Sequence, residues 1–212
     1  MVYRLIFSRP PLGMIELDDT LYIGKGINRV CYRHPLDPAK CIKVDVRKHG
    51  GPTEKEAHYY KKLARIRPLL NYTYVPRFYG FVQTNLGRGG VFDLVLDEGT
   101  LTISKTFLHY IHNGKASAQD PVWIKAHREF LDSILRDAII IRDLIPGNIC
   151  ARRMLDGSYR FVSIDGIGHR DFIPLCDYFR SIARRKQLRH IERKGFQSLE
   201  TAIARIEARK ER

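Results

Sequence analysis

The sequence predicts an α+β chain in which an antiparallel sheet carrying one helix comes first and helices dominate the remainder. Three observations predict it. Short alternating apolar runs (Met14 to Ile23, Val30 to Tyr32, Cys41 to Val44) fall before residue 97, as half-buried strands require. A single helical pattern, Pro52 to about Ile66, interrupts them. Beyond that point the spacing turns helical, over about Ser104 to His112, Pro121 to Asp137 and Gln197 to Arg209. The 212 residues, 44% apolar and 28% charged, suffice to bury a real core as one compact unit or two small lobes.

The first candidate site element is Gly24-Lys25-Gly26, between two strand patterns. A glycine-rich hairpin lets backbone approach phosphates closely, although Gly-x-Gly turns are common on their own. Cys41-Ile42-Lys43-Val44 then sets a lysine in a strand. Facing inward it needs an anion, such as a phosphate; the competing reading puts Lys43 on the solvent face of an edge strand.

Thr53 is the expected N-cap of the following helix, with Glu56 at its third position. Tyr59, Tyr60, Leu63 and Ile66 form one stripe, and helical spacing places Glu56 within about 20° of its centre. Glu54 falls on the opposite side with His58, Lys61 and Arg65. A buried carboxylate needs a cation, and Lys43 is the expected one. The alternative keeps Glu56 in a capping box with Thr53. Later strands are expected at Arg77 to Gln83 and Val91 to Leu96, joined by the glycine-rich stretch from Asn85 to Gly90.

The second half holds Ile141-Arg142-Asp143-Leu144-Ile145-Pro146-Gly147-Asn148, and then Asp165-Gly166 after a strand from Tyr159 to Ile164. This matches the His-Arg-Asp-Leu-x-x-x-Asn catalytic loop and Asp-Gly metal element of protein kinases. Phosphoryl transfer needs a carboxylate to orient the attacking hydroxyl and oxygen ligands for Mg²⁺ on the phosphates. Asp143, Asn148 and Asp165 have the residue types for those roles.

Taken in order, these features resemble the protein-kinase-like fold over roughly residues 14 to 180. More narrowly the chain is similar to the YrbL family, the PhoP regulatory network proteins of bacteria. Ile23-Gly24-Lys25-Gly26 with Arg29, Cys31 to Pro35, Cys41-Ile42-Lys43, Glu56 with Tyr59-Tyr60, Val75 to Gly80, Leu144 to Ile149 and Asp165 to Gly168 carry that similarity. The resemblance implies a bilobal fold: an antiparallel-sheet N-lobe over about residues 1–97, a hinge at about 97–100, and a shortened, mostly helical C-lobe over about 101–212. It implies binding of Mg²⁺ and ATP and transfer of the γ-phosphoryl group to a hydroxyl of a protein, a small molecule or the chain itself. The alternative is a pseudokinase-type nucleotide-binding regulator. Asp143 would be the base. Asn148 and Asp165 would hold metal. Gly24, Gly26, Arg29 and Lys43 would meet phosphates, Glu56 would position Lys43, and the backbone at Asp97 and Gly99 would meet an adenine ring.

Departures qualify the resemblance. Arg29 replaces the third glycine and Ile141 the histidine. Ile145 stands where a lysine often assists the transferring phosphate. Asp165-Gly166-Ile167 lacks phenylalanine, and too little chain follows for a full activation segment. These departures fall more on the parts that would recognise a peptide than on those that would bind a nucleotide.

The formal charge is +14, and Arg180 to Arg212 hold eleven Lys/Arg against four Glu, half of the surplus. A basic face attracts polyanions. No recognisable nucleic-acid fold surrounds Arg184-Arg185-Lys186, which argues against direct nucleic-acid binding. The last helix, with Leu199, Ile203 and Ile206 on one face, reads as docked on its own domain; an acidic protein or anionic lipid surface is the rival reading. Cys31, Cys41, Cys150 and Cys176 lack metal-ligand spacing and read as thiols of a reducing compartment, without a disulfide. The stretch Met1 to Pro10 has too short an apolar run for a signal peptide, and no stretch approaches the roughly 20 apolar residues of a membrane span. Cytoplasm is the expected location. His169, three residues after Gly166, falls close to the expected nucleotide site, although a lone histidine is more often structural.

Overall fold

The computed structural model describes residues 13–46, 51–67, 72–169 and 175–210, with side chains to residue 208. Its strands and helices form a mixed α+β architecture built on a six-stranded sheet. The strands are β1 (Met14–Ile15), β2 (Tyr22–Lys25), β3 (Arg29–Arg33), β4 (Lys40–Asp45), β5 (Phe78–Thr84) and β6 (Gly87–Asp93), in spatial order β1-β5-β6-β4-β3-β2. All pairings among these six strands are antiparallel except β1, which runs parallel to β5, so the sheet is mostly antiparallel as expected. The long strand expected from Met14 onward is broken at residues 16–21, where the Asp18 side chain caps a short 3₁₀ turn.

Helix α1 (Pro52–Ile66) follows β4. Its N-cap is Gly51, with Pro52 at the first helical position, so Thr53 is not the cap. Thr53 instead donates its hydroxyl to Asp45 Oδ1 (2.6 Å). The buried face of α1 carries Glu56, Ala57, Tyr59, Tyr60 and Leu63, matching the predicted stripe, while Glu54 pairs outside with Arg88 at 3.2 Å.

The β5–β6 turn is tighter than predicted, because Gly87, Gly89 and Gly90 lie within β6. Their role is packing. A Cβ at Gly89 would come 2.4 Å from Ile42, and one at Gly90 would come 2.6 Å from Thr53. The sheet and α1 approach each other at Gly90, while Gly89 makes room for Ile42 of the neighbouring strand β4.

The rest contains α2 (Phe107–His112), α3 (Pro121–Arg136), a two-stranded ribbon of β7 (Ile149–Arg153) and β8 (Tyr159–Ser163), and then α4 (Leu175–Tyr178), α5 (Arg180–Lys194) and α6 (Leu199–Lys210). Aspartate caps α3: Asp120 accepts the Val122 N–H (2.9 Å) ahead of Pro121. The core here is aromatic. Trp123 stacks on Tyr159 with centroids 4.2 Å apart, and Phe107, Phe130 and Phe161 are fully buried beside it. Helix α5 lacks an apolar stripe, since its buried residues are Ala183, Gln187 and Ile191, and its amphipathic signal is correspondingly faint. Helix α6 docks as expected, with Leu199, Ala202 and Ile203 buried. Among the described residues no helix is long and apolar enough to cross a membrane.

Candidate functional site

The glycine turn joins β2 to β3. The Gly26 N–H donates to the Arg29 carbonyl (2.8 Å), and a Cβ at Gly24 would meet nothing within 4 Å. The turn is thus uncrowded at Gly24. Across the next ladder Cys31 pairs with Lys43, so both side chains share one face. Strand β4 is interior, between β3 and β6, and Lys43 is buried, which removes the edge-strand reading. Its Nζ donates to the Ile164 carbonyl at 2.6 Å and sits 4.5 Å from the Phe92 ring centroid.

The partner of Glu56 differs from expectation. Arg29, not Lys43, is paired with it, and the same guanidinium reaches Asp165 Oδ1. The reason is reach: β3 carries Arg29 over the buried face of α1, while Lys43 is drawn to Ile164. Nor does Glu56 serve in a capping box, since Thr53 is bonded to Asp45. Burial works against the Arg29 cation, but Glu56 and Asp165 together outweigh it and hold its pKa raised. Glu56 Oε1 has no hydrogen-bond partner although buried. A buried carboxylate oxygen without a donor is uncommon in a folded protein.

The loop of residues 140–148 and the segment 164–168 are laced together. Ile164 N–H donates to Asn148 O (2.9 Å), Arg142 N–H to Gly166 O (2.8 Å) and Gly168 N–H to Ile140 O (2.8 Å). Gly166 has φ +76°, and a Cβ on it would lie 2.8 Å from the Asp143 Cβ. Only glycine permits that backbone conformation and approach. Asn148 Nδ2 donates to the Asp143 carbonyl (3.1 Å), which orients the amide and turns its oxygen away. Helix α1 locks the loop from above through the Tyr59 hydroxyl, which accepts the Ile140 N–H (3.1 Å) one turn after Glu56.

Lys43, Asp143, Asn148 and Asp165 are therefore connected through Ile164 and Gly166, with Arg29 and Glu56 on the same cluster. Asp97 and Gly99 are not. The Asp97 N–H donates to Thr102 O and the Glu98 N–H to Arg153 O, both at 2.9 Å. Asp97 Oδ1 accepts from Ser104 Oγ (2.7 Å) and the Arg153 N–H (3.1 Å). Asp97 and Gly99 line a cavity of about 550 Å³ with Tyr72, Val75, Arg152 and Val162, whose walls exclude the lysine, the two aspartates and the asparagine.

Sequence reasoning missed three neighbours of the cluster. Cys31 stands opposite Lys43, a parity visible from strand spacing. Its thiol pKa is lowered, chiefly by the hydrogen bond from Cys41, with Lys43 and Arg29 adding to that against the effect of burial. Lys194, from the end of α5, donates to Asp143 Oδ1 at 3.2 Å. Gln187, two turns earlier, accepts the Ile141 N–H at 2.8 Å. No local signal announces the last two, which are distant in sequence.

His169, Cys176 and Asp177 bring their ligating atoms within 4.8 Å of one another, a grouping that cysteine spacing did not reveal. Asp177 there is already bonded to His169 (2.6 Å) and paired with Lys62, so its charge is met by a side-chain cation. The four cysteines are free thiols.

The network thus joins hard oxygen donors, the Asp143 and Asp165 carboxylates and the Asn148 amide, to two buried cations, Arg29 and Lys43. The model of the family described as "PhoP regulatory network protein YrbL" matches residues 15–195. The chain belongs to this YrbL family. It is 33% identical over 181 residues to the "Uncharacterized protein YrbL" of Escherichia coli (strain K12), covering 83% of this chain and 84% of that protein. The protein of the same description from Shigella flexneri matches with the same identity and coverage.

Proposed function

We propose that this chain is a phosphotransferase of kinase-like, two-lobed design that binds ATP with Mg²⁺ and passes the γ-phosphoryl group to a hydroxyl acceptor. The observation that carries this reading is the gathering of Lys43, Asp143, Asn148 and Asp165 through Ile164 and Gly166. The residues fit the metal. Asn148 presents its amide oxygen because its nitrogen is bonded to the loop, and Asp165 Oδ1 takes Arg29 and the Gly166 N–H, leaving Oδ2 for a cation. Bound there, Mg²⁺ would neutralise charge on the phosphates.

The chain's own groups supply the rest. Lys43, buried and close to Ile164, would hold phosphate oxygens that the Gly24–Gly26 turn covers. Asp143, about half exposed, would orient the acceptor hydroxyl and take its proton. Arg29 with Glu56 fixes β3 against α1, so the turn and Asp165 keep one spacing. An adenine ring would find the Asp97 and Glu98 donors already engaged, so ring recognition would rest on apolar contact or on a shift of that segment.

One observation favours a second reading, a nucleotide-binding regulator without turnover. Arg29 places a permanent cation on Asp165, where a metal would otherwise hold sole claim. Incubation with radiolabelled ATP and Mg²⁺ separates the two. Label transfer or phosphate release that disappears in Asp143→Ala supports the phosphotransferase. Binding that is equal in both proteins, with no turnover, supports the regulator. A cytoplasmic setting, and an acidic protein or anionic lipid partner for the exposed arginines of α5, accord with either reading.

A further inference from the structure

Helix α5 lies along the loop that ends in Asp143. Gln187 accepts the Ile141 N–H (2.8 Å), and Lys194, seven residues on and so on the same helical face, reaches Asp143 Oδ1 (3.2 Å). Ile191, between them, is buried. The helix stops there because Gly195 adopts φ +67°, where a Cβ would come 2.4 Å from the Arg205 guanidinium. Phe196 is then buried, with its carbonyl bonded to His127 (3.0 Å). The lysine is thus anchored from both sides.

The pair itself is open to solvent: the side chains of Lys194 and Asp143 are 29% and 44% exposed. An ion pair this exposed contributes little to stability, so folding alone gives weak reason for it. The loop offers no cation of its own two residues after Asp143, where Ile145 stands with its side chain partly in solvent.

We infer that Lys194 is a catalytic residue, the cation that meets the transferring phosphoryl group beside Asp143, supplied from the far end of the sequence. This rests on the phosphotransferase reading. In the step, the acceptor oxygen forms a bond to the γ-phosphorus as the bond to the β–γ bridging oxygen breaks. The acceptor proton passes to Asp143, and ADP leaves with the bond's electron pair. Negative charge on the equatorial phosphoryl oxygens then sits one side-chain reach from Asp143, where a positioned ammonium stabilises it. The basic C-terminal segment is in this respect part of the site and not only a solvated face.

The test uses the full chain with Mg·[γ-³²P]ATP, reading phosphate release and self-labelling, with melting temperature measured in parallel. Lys194→Met should lower kcat by about 100-fold, the loss typical for one preorganised donor, with KM for ATP and melting temperature nearly unchanged. Lys194→Arg should keep most of the rate, and Ile145→Lys in the Lys194→Met background should recover part of it. A rate unchanged or raised in Lys194→Met overturns the inference. So does a loss that tracks melting temperature and that neither Lys194→Arg nor Ile145→Lys relieves. If the unaltered chain shows no turnover, the phosphotransferase reading itself falls and takes this one with it; undiminished turnover in Lys194→Met removes only the role of Lys194.

Discussion

Arg29 holds two carboxylates at once, Glu56 from α1 and Asp165 from the turn after β8. It is itself buried, and Glu56 is 4% exposed while Asp165 is 47% exposed, so the two contacts differ in weight. Losing the cation strands Glu56 in a place water cannot reach. Losing it at Asp165 exposes a carboxylate that solvent can still serve.

Arg29→Met should therefore cost about 3–5 kcal/mol of stability, the penalty for leaving one member of a buried pair uncompensated. Arg29→Met with Glu56→Gln should recover much of it, because the stranded charge is gone. Urea unfolding of the two single variants and the double gives the coupling directly. Loss of under about 1 kcal/mol in Arg29→Met, the scale of an exposed pair, would refute the assignment.

Gly166 sets the distance between the two aspartates. Alanine there meets the Asp143 Cβ at 2.8 Å and the Asp143 nitrogen at 2.9 Å, in a backbone conformation with φ +76°. The strained conformation alone costs on the order of 1–3 kcal/mol, and the collision pushes Asp143 and Asp165 apart. Gly166→Ala should lower the melting temperature and abolish the thermal shift given by Mg·ATP. Wild-type shifts in that variant would mean that the spacing is not critical.

What could be read from sequence here is local, and what could not is long-range. The limits of α1 and the inward face of Glu56 follow from one helical period, because a 15-residue helix repeats its stripe enough times to average out exceptions. Asp143 and Asn148 follow from spacing within a short loop, and Asp165 from the Asp-Gly pair that follows β8. The partner of Glu56 depends on how far β3 slides over α1, which no period encodes, so the sequence alone does not pair Arg29 with Glu56. Gly89 and Gly90 look like turn residues until Ile42 and Thr53 are placed against them. Helix α5 is polar nearly all round, and the hydrogen bond between Gln187 and Ile141 that fixes it spans 46 residues. Its contribution of Lys194 to the site was beyond the reach of any local pattern.

Cys31 reports on the site independently of turnover. It is partly exposed, whereas Cys41, Cys150 and Cys176 are buried. Its thiol pKa is lowered, first by Cys41, while burial pushes the Cys150 thiol up to about 12. Thiolate, not thiol, is alkylated, so iodoacetamide at neutral pH should label Cys31 well before Cys150. Mg·ATP should slow that labelling, since Cys31 shares a face with Lys43. Peptide mass spectrometry follows both. Labelling of Cys31 that is indifferent to nucleotide would count against binding at this cluster.

His127 should make stability depend on pH in a defined direction. It is buried on α3 against Phe196, with ring centroids 4.9 Å apart and Nε2 3.0 Å from the Phe196 carbonyl. Burial lowers its pKa below the ordinary 6.5, outweighing the opposing hydrogen bond, so the folded state keeps the ring neutral with Nε2–H donating. The unfolded chain takes up a proton near pH 6.5 and the folded chain only lower. Stability from this group is thus complete above the unfolded pKa and is lost as pH falls toward the folded one. The slope cannot exceed about 1.4 kcal/mol per pH unit for one proton. His34 and His190 are also lowered by burial and act in the same sense, so His127→Gln should shrink the slope between pH 7 and 5.5 without removing it. Because Phe196 lies two residues after Lys194, the same acidification should loosen the end of α5. Rate should then fall with pH through this window more steeply in the unaltered chain than in His127→Gln. Equal slopes in urea midpoints for both proteins would show that burial does not hold the His127 pKa below that of the unfolded chain.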